Sequence, residues 1–349
     1  MKVSDRDYTG KEVFVGIDVH KKTYTIVAVC ERKVVKKWTS TASPSGLVEQ
    51  LSKFFKGAKV NSAYEAGFSG FQLHRVLVAK DIKNIVVNAA SIEVKANDRV
   101  KTDKRDALKI AEQLESGRLK GIYIPTEHEE EKRSLSRGRE RVVNRRKSIG
   151  NQLKMKLHYL GYKLVSDQKV SESFLKKVEK SLEDVPGGHR FEIEELIDAW
   201  RSESKRIKRF DNELKKQAEQ DPLERIYRSA PGIGAISSRV LSNELGDTSR
   251  FNNEAQLFSS TGLTPGEYSS GEHTRKGHIS RQGSARIRAI LTEVAWRAIG
   301  KDASLKAFYV RVASNRDGKR AIVAVARKVL GRLRKCLKDN VEWKDLKVA

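Results

Sequence analysis

The sequence is poor in cysteine and has no long apolar segment. Cys30 and Cys336 are its two cysteines, and they lack the spacing of a zinc site, so a disulfide framework and a cysteine-ligated zinc are excluded. The longest apolar runs, such as 322–326, fall far short of the roughly 20 residues of a membrane helix. No apolar stretch follows the N-terminus, as a signal peptide would require. We therefore expect a soluble, cytoplasmic protein with no membrane partner.

Acidic residues are also scarce relative to basic ones. The 349 residues include 70 Lys and Arg against 45 Asp and Glu, a formal net charge of +25. Residues 1–125 hold 23 basic and 14 acidic side chains, residues 126–225 hold 24 and 20, and residues 226–349 hold 23 and 11. This surplus indicates a polyanionic partner such as nucleic acid, with the last third as its main contact surface. Composition alone does not separate an enzyme from a packaging protein.

Residues 1–125 have the pattern of an α/β domain. Short apolar, β-branched segments predict strands, and apolar residues three or four apart predict helices. Strands are expected at 13–20, 23–30, 34–39, 60–66 and 82–88, and helices at 45–56, 70–80 and 104–116. The order predicts a mixed sheet with helices packed on it, as in ribonuclease-H-like (RuvC-like) domains.

Residues 126–225 have almost no strand signal and predict a helical, coiled-coil arm. Pro186-Gly-Gly188 separates two apolar runs, as in two long helices joined by a turn. The first run carries an arginine every four residues: Arg133, Arg137, Arg141 and Arg145. This basic face is either solvated or tracks a phosphate backbone, and in the second case Arg137 and Arg141 contact nucleic acid.

Residues 226–349 predict a mainly α-helical domain with glycine-rich loops. The segment Pro231-Gly-Ile-Gly234 resembles the hairpin of a helix-hairpin-helix element, in which Gly232 and Gly234 let the backbone approach a phosphate. An ordinary turn between two helices explains the segment equally well. Further along, the basic helix expected at 319–338 fits a nucleic-acid surface.

Four carboxylates fall at places that a ribonuclease-H-like sheet brings to one edge. Asp18 ends the first strand, Glu65 ends a later one, and Asp103 and Asp106 share a face in the first turn of a helix. Converging carboxylates repel one another, which predicts two Mg²⁺ ions about 4 Å apart. Each residue also has a simpler interpretation, as a turn cap, a surface residue or a complement to the helix dipole. Flanking cations are expected to contact phosphates beside the metals: Lys21, Lys22, Lys104 and Arg105.

Taken together, these motifs resemble the IS110 family of insertion-sequence transposases, relatives of the Piv DNA invertase. The DEDD catalytic domain of the family is matched by Gly16-Ile-Asp-Val-His20, the Glu65 strand and Thr102-Asp-Lys-Arg-Asp-Ala107. The C-terminal transposase domain of the family is matched in order by Ala230-Pro-Gly-Ile-Gly234, Arg250-Phe251, Thr261-Gly-Leu-Thr-Pro265, Ser270-Gly271, Gly277-His-Ile-Ser280, Gly283 and 288–291. The middle of the chain is matched only by its helical character.

The resemblance implies a DNA transposase with a composite site. The DEDD carboxylates hold Mg²⁺, and Ser270 of the Ser-Gly motif attacks DNA and becomes covalently joined to it. Ser269 is adjacent and is the alternative nucleophile. A structured guide RNA encoded by the element selects target and donor DNA, so the protein holds RNA shape and phosphates rather than reading bases.

The resemblance also implies an organisation and a set of contacts. Residues 1–125 form the catalytic domain, residues 126–225 the coiled-coil arm, and residues 226–349 the domain with the serine. The protein acts as a homo-oligomer, a dimer or tetramer, in the cytoplasm at the nucleoid. The nucleic-acid contacts expected around the serine are Arg275, Lys276, Arg281 and Arg288.

Two other functions stay open at this point. A Holliday-junction resolvase or another structure-specific nuclease would use the same carboxylates with water as nucleophile and would form no protein–DNA adduct. A non-catalytic architectural protein would bind nucleic acid without metal and would cleave nothing.

Overall fold

The computed structural model describes residues 7–93, 102–162, 168–267, 276–315 and 317–346. The chain divides into two compact units, residues 1–124 and 125–349. The strands are β1 (Glu12–Val19), β2 (Thr23–Cys30), β3 (Lys33–Thr41), β4 (Lys59–Glu65), β5 (Lys83–Val87), β6 (Pro265–Glu267) and β7 (Lys276–Ile279). The helices are α1 (Pro44–Phe54), α2 (Gln72–Val78), α3 (Asp103–Glu115), α4 (Glu127–Tyr159), α5 (Glu172–Lys180), α6 (Gly187–Glu219), α7 (Glu224–Ser229), α8 (Ala235–Leu245), α9 (Glu254–Thr261), α10 (Ala285–Ala298), α11 (Ala303–Asn315) and α12 (Gly318–Asp339).

The first unit is built on a mixed sheet with the strand order β3-β2-β1-β4-β5. β1 runs antiparallel to β2, with Ile17 opposite Ile26, and parallel to β4, with Ile17 opposite Tyr64. β2 and β3 are antiparallel, and β4 and β5 are parallel. The mixed sheet with packed helices that the sequence predicted is therefore confirmed, and it is consistent with a ribonuclease-H-like domain.

The two faces of this sheet pack on different helices. Side chains alternate along a strand, so every second residue shares a face. Ile17, Ile26 and Tyr64 belong to the core that includes Leu47 of α1 and Leu77 of α2. The opposite face packs on α3 through small and β-branched residues: Gly16, Val27, Ala63, Val87, Ala107, Ile110 and Ala111.

This alternation determines which side of the sheet carries the acidic residues. Asp18 lies two residues beyond Gly16 on β1, and Glu65 lies two residues beyond Ala63 on β4. Both therefore lie on the α3 face, at the carboxyl ends of neighbouring parallel strands. A Cβ on Gly16 would lie 2.0 Å from the Ala107 carbonyl oxygen, so the backbones of α3 and β1 are in direct contact here.

The second unit begins with a pair of long helices, α4 and α6. Gly138 of α4 faces Phe210 of α6, and Lys156 near the end of α4 pairs with Glu192 near the start of α6, so the two helices are antiparallel. The sequence predicted two helices joined by a turn, and the structure corrects this by placing the short helix α5 between them. Apolar side chains of all three helices form one core: Leu153, Leu157, Phe174, Leu175, Val178, Leu182, Ile193 and Ile197.

The rest of the second unit is mainly helical, as the sequence predicted. Helices α7 to α12 enclose a core with Leu241, Leu291 and Val329 at its centre. A small antiparallel hairpin, β6–β7, was not predicted from the sequence; in it Pro265 lies opposite Ile279. The division of this unit into an arm and a serine-bearing domain stays a prediction. No helix in the described part of the chain combines the length and the apolar character needed to cross a membrane.

Candidate metal site and nucleic-acid contacts

The candidate metal site lies where β1 ends and α3 begins. Thr102 is the N-cap of α3, and its hydroxyl accepts a hydrogen bond from the backbone N–H of Arg105 at 3.4 Å. The first turn of α3 then carries Asp103 and Asp106. Because α3 packs directly on β1, this turn brings its carboxylates to the end of the strand that carries Asp18.

A histidine lies between two of these carboxylates. The His20 Nε2 atom is 3.2 Å from Asp18 Oδ2 and 3.1 Å from Asp103 Oδ2. The three ligand atoms all lie within 4.8 Å of one another. His20 was not among the site residues predicted from the sequence. The signal was present, since His20 is two residues beyond Asp18 and the strand period places both on the same face.

The clustered negative charges of the site favour the binding of a cation. Burial raises the pKa of the Asp18 carboxyl, the nearby Asp103 and Asp106 carboxylates raise it further, and His20 opposes the rise. Asp106 also lies 3.3 Å from the Lys109 ammonium. Carboxylate oxygens are the ligands that hard divalent cations such as Mg²⁺ prefer, and a cation would relieve their mutual repulsion. The donor set therefore fits a divalent metal.

Glu65 lies beside this group rather than within it. It is exposed at the end of β4, on the α3 face, in the strand next to β1. Among the described residues, the group close enough to share one ion consists of Asp18, His20 and Asp103. The full set of four carboxylate ligands stays a prediction, and we call Asp18, Glu65, Asp103 and Asp106 the acidic site.

Cations surround the acidic site as the sequence suggested. Lys21 and Lys22 are exposed in the turn between β1 and β2, directly after His20. Lys104 and Arg105 are exposed in the first turn of α3. Their contacts with phosphate remain predictions, but their positions leave them accessible beside the carboxylates.

Part of the basic face of α4 makes contacts inside the second unit. Arg137 donates two hydrogen bonds to Glu244 of α8, at 2.7 and 2.9 Å, and the Glu244 side chain is only 4% exposed. This bond raises the pKa of Arg137. Arg133 donates to the Asn243 carbonyl at 3.1 Å. Arg137 therefore joins α4 to α8, whereas Arg141 is exposed, and the contact of either residue with nucleic acid stays a prediction.

Two predicted phosphate contacts, Gly232 and Gly234, have local structural roles, and their contact with phosphate stays a prediction. Gly232 has a positive φ of 81°, and a Cβ there would lie 2.6 Å from the Val294 carbonyl oxygen of α10. Close packing on α10 thus explains this glycine without a phosphate. The Gly234 backbone N–H donates to the Ser237 hydroxyl at 2.8 Å, so its donor already has a partner.

Arg288 also has contacts inside the second unit, and its contact with nucleic acid stays a prediction. Its guanidinium donates to the carbonyl oxygens of Thr261 at 2.8 Å and of Gly283 at 3.1 Å. Partial burial lowers the pKa of Arg288. The side chain therefore holds the end of α9 against the loop that precedes α10.

The predicted nucleophile lies outside the described residues, as do Ser269 and Arg275. Ser270 belongs to residues 268–275, which connect β6 to β7 in the chain. Lys276 is the first residue of β7, and Arg281 is exposed just after the strand. The roles of these residues stay predictions.

Comparison with known proteins identifies the class to which this fold and site belong. A DEDD transposase model of the IS110 group matches residues 15–160, and the model for the transposase IS116/IS110/IS902 family matches residues 224–310. A putative transposase, y4qE, from Sinorhizobium fredii is 31% identical over 292 residues, which cover 82% of this chain and 72% of the relative. The transposase for insertion sequence element IS1533 from Leptospira borgpetersenii is 26% identical over 93% of this chain and 95% of its own length. The transposase for insertion sequence element IS1111A from Coxiella burnetii is 23% identical over 90% of this chain and 86% of its own length.

These matches cover the sheet with the acidic site and most of the helical C-terminal region. They define an enzyme that acts on DNA, a transposase with a DEDD domain. The chain belongs to the IS116/IS110/IS902 family of insertion-sequence transposases. The DEDD domain and the clustered carboxylates together indicate the use of a divalent metal.

Proposed function

We propose that this transposase cuts and rejoins DNA through a covalent phosphoserine link to Ser270, with Mg²⁺ held at the acidic site. The observation that supports the proposal is the convergence of Asp18 and Asp103, each within 3.2 Å of His20 Nε2. Carboxylates gathered in this way on an exposed sheet edge are suited to hold cations beside a phosphate. A divalent ion bound there would supply positive charge to the phosphate oxygens.

The residues of this chain then have distinct tasks. The Ser270 hydroxyl oxygen bonds to phosphorus and gives up its proton, and the displaced DNA oxygen leaves as a hydroxyl. One phosphoester is exchanged for another, so a second DNA hydroxyl can reverse the step and rejoin the strands without an external energy source. Lys21, Lys22 and Lys104 hold the phosphate chain beside the carboxylates through their exposed ammonium groups.

The Ser270→Ala substitution tests the nucleophile. We expect the variant to fold and to bind metal and DNA as the wild type does, because one hydroxyl contributes little to stability. It should lose the covalent protein–DNA adduct and all strand exchange, as measured by denaturing gels and mass spectrometry of labelled substrate. Ser269→Ala is the matched control and should retain both.

Three outcomes would change the proposal. An adduct that maps to Ser269 would move the nucleophile by one residue. Cleavage that persists in Ser270→Ala without an adduct would favour a nuclease that uses water. Wild-type activity of Asp18→Ala in Mg²⁺ would remove Asp18 from the metal site.

The proposal includes a structured guide RNA that pairs with target and donor DNA. The basic surplus of +25, spread over all three thirds of the chain, supports a partner recognised by its phosphates. Affinity for a structured RNA should fall steeply with salt, because several phosphates are neutralised at once. A nearly salt-independent affinity would contradict this part of the proposal.

The proposal also includes a homo-oligomer, a dimer or tetramer. Asp18 and Ser270 belong to different compact units of the chain, 1–124 and 125–349, so the two halves of a site can come from different copies. Mixing Asp18→Ala with Ser270→Ala protein should then restore part of the strand exchange that each lacks alone. If the mixture is inactive while each variant still oligomerises with the wild type, the site is completed within one copy.

A further inference from the structure

A groove of about 540 Å³ lies in the second unit between the hairpin β6–β7 and helix α12. Pro265 and Ile279 line it from the hairpin, and Val312 and Val323 line it from α11 and α12. Apolar side chains therefore contribute to both walls, and the two walls belong to elements that are far apart in the sequence. The volume is in the range of ligand-binding clefts in proteins, about 300–1,000 Å³.

Cations without acidic partners surround this groove. Arg281, Lys319 and Arg327 line it, and none of them forms an ion pair with a carboxylate of the described residues. Asp317 is the one acid among the described lining residues, and it accepts a hydrogen bond from the backbone N–H of Arg320 at 2.7 Å and pairs with the Arg320 guanidinium at 3.3 Å. Among the residues that the structure describes, no carboxylate pairs with these three cations, so the groove holds a surplus of positive charge.

A second groove in the same unit shows that this surplus is not general. It has a volume of about 650 Å³ and lies between α4, α8 and α10. It also contains arginines, but each of them is paired with a carboxylate: Arg139 with Asp211 at 2.5 Å, Arg286 with Glu140 at 2.5 Å and Arg297 with Glu293 at 3.8 Å. The larger groove is therefore neutralised internally, whereas the groove beside α12 is open to an anionic partner.

An aromatic surface adjoins the basic groove. The Trp296 side chain of α10 is 50% exposed, and its ring centroid lies 5.8 Å from that of Tyr309 on α11. Tyr309 lies against Gly318, since a Cβ there would be 3.0 Å from the tyrosine hydroxyl. Gly318 lies between Asp317 and Lys319, both of which line the groove. Tyr309 therefore adjoins the groove at Gly318, and Trp296 packs on Tyr309; we call this aromatic pair the platform.

We infer that this groove and platform bind one strand of DNA, with the phosphates along Arg281, Lys319 and Arg327 and a base stacked on Trp296. Proteins that hold single strands combine a basic channel with exposed aromatic rings, because every base has a face that can stack. A double helix keeps its bases stacked on one another and would leave Trp296 without a partner. A single strand uses both features of the surface.

The proximity of the hairpin favours DNA over RNA as the occupant. One wall of the groove is the hairpin whose connecting residues 268–275 include Ser270, the proposed nucleophile. The strand that the proposed serine attacks is DNA, so DNA is the occupant that this wall favours. This inference rests on the proposed function for the identity of the strand, but the binding itself requires neither the serine nor the metal.

Binding of short oligonucleotides tests the inference. The full chain with Ser270→Ala is titrated in EDTA into a labelled single-stranded DNA of 12 nucleotides, and fluorescence anisotropy is recorded from 0.05 to 0.5 M salt. The double variant Arg281→Glu with Lys319→Glu should reduce the slope of log K against log salt by about 1.4. This change corresponds to a loss of binding affinity of about 25-fold at 0.1 M salt. Trp296→Ala should reduce affinity about tenfold without changing the slope, and Trp296→Phe should retain most of it.

Matched controls separate the groove from the general charge of the protein. Lys205→Glu with Lys208→Glu makes the same charge change at exposed positions of α6 and should leave the slope nearly unchanged. Equal losses in the groove and control variants would overturn the inference. An effect of Trp296→Ala that is as large for duplex DNA as for the single strand would refute a single-stranded occupant, and tighter binding of RNA of the same sequence would refute DNA. Because no strand exchange is measured, these outcomes are independent of the phosphoserine mechanism.

Discussion

Gly16 offers a way to displace the acidic site without changing any of its residues. A Cβ on Gly16 would lie 2.0 Å from the Ala107 carbonyl oxygen and 2.6 Å from the Ala111 backbone nitrogen. Both atoms belong to the backbone of α3, so no side-chain rotation can relieve the overlap. In a Gly16→Ala variant, α3 must move away from β1.

The distance determines the size of the effect. Real Cβ atoms essentially never approach other heavy atoms closer than 3.0 Å, so the 2.0 Å contact requires a shift of at least 1 Å. Overpacking of this kind costs about 1–3 kcal/mol, which lowers the melting temperature of a domain of this size by about 4 °C per kcal/mol. The shift also carries Asp103 and Asp106 away from Asp18. A displacement of about 1 Å at reacting groups costs on the order of 100-fold in rate.

Calorimetry and a strand-exchange assay measure the two effects separately. Gly67→Ala is the matched control in the same unit, because the nearest atom to its added Cβ is the Glu65 carbonyl oxygen at 4.0 Å. We expect Gly16→Ala to lose more activity than its stability loss explains at a temperature where it remains folded. It should also bind Mn²⁺, a spectroscopic substitute for Mg²⁺, more weakly than Gly67→Ala does. Wild-type activity and metal affinity in a folded Gly16→Ala protein would refute the direct coupling between this contact and the acidic site.

Two further predictions concern buried or clustered charges. Burial and the carboxylates of Asp103 and Asp106 raise the pKa of Asp18. The charged carboxylate therefore destabilises the folded chain above the raised pKa, and this destabilisation is absent below the ordinary pKa of 3.8, where the carboxyl is protonated. Asp18→Asn should therefore raise the melting temperature of the metal-free chain at pH 7, and this gain should shrink toward pH 4; a less stable variant at pH 7 would contradict the sign. Arg137→Ala should destabilise the second unit by about 3 kcal/mol in chemical denaturation, because it leaves the buried Glu244 carboxylate without its bidentate partner. Adding Glu244→Gln should recover much of that loss, and equal stability of the single and double variants would refute the pairing argument.

The fold of the first unit could be predicted because its sequence patterns are local. The apolar run along 13–20 and the β-branched residues of 23–30 identify strands, and the spacing of apolar residues along 104–116 identifies a helix. The order of these elements then places Asp18 and Asp103 at one edge. The structure has both carboxylates near His20 there.

Other features were missed because they depend on partners far away in the sequence. The spacing of Arg137 shows which side of α4 it occupies but not that Glu244 lies opposite, 107 residues later. Gly232 lacks a side chain, as a close phosphate contact requires, but the structure shows that α10 packs closely against this position. The hairpin β6–β7 has strands of only three and four residues, too short for an alternating pattern to be recognised.

The small residues between β1 and α3 explain how the acidic site can exist in the folded chain. Gly16, Ala107 and Ala111 let the helix approach the sheet closely, so the positive end of the α3 dipole lies beside the carboxylates. A helix N-terminus stabilises a nearby negative charge by about 0.3–1 kcal/mol. This offsets only part of the burial and the repulsion that raise the pKa of Asp18. The remaining cost is the one that a divalent cation relieves on binding. Close packing of α3 and affinity for metal are therefore expected to change together, because the contact that brings the carboxylates close also creates their need for a counter-ion.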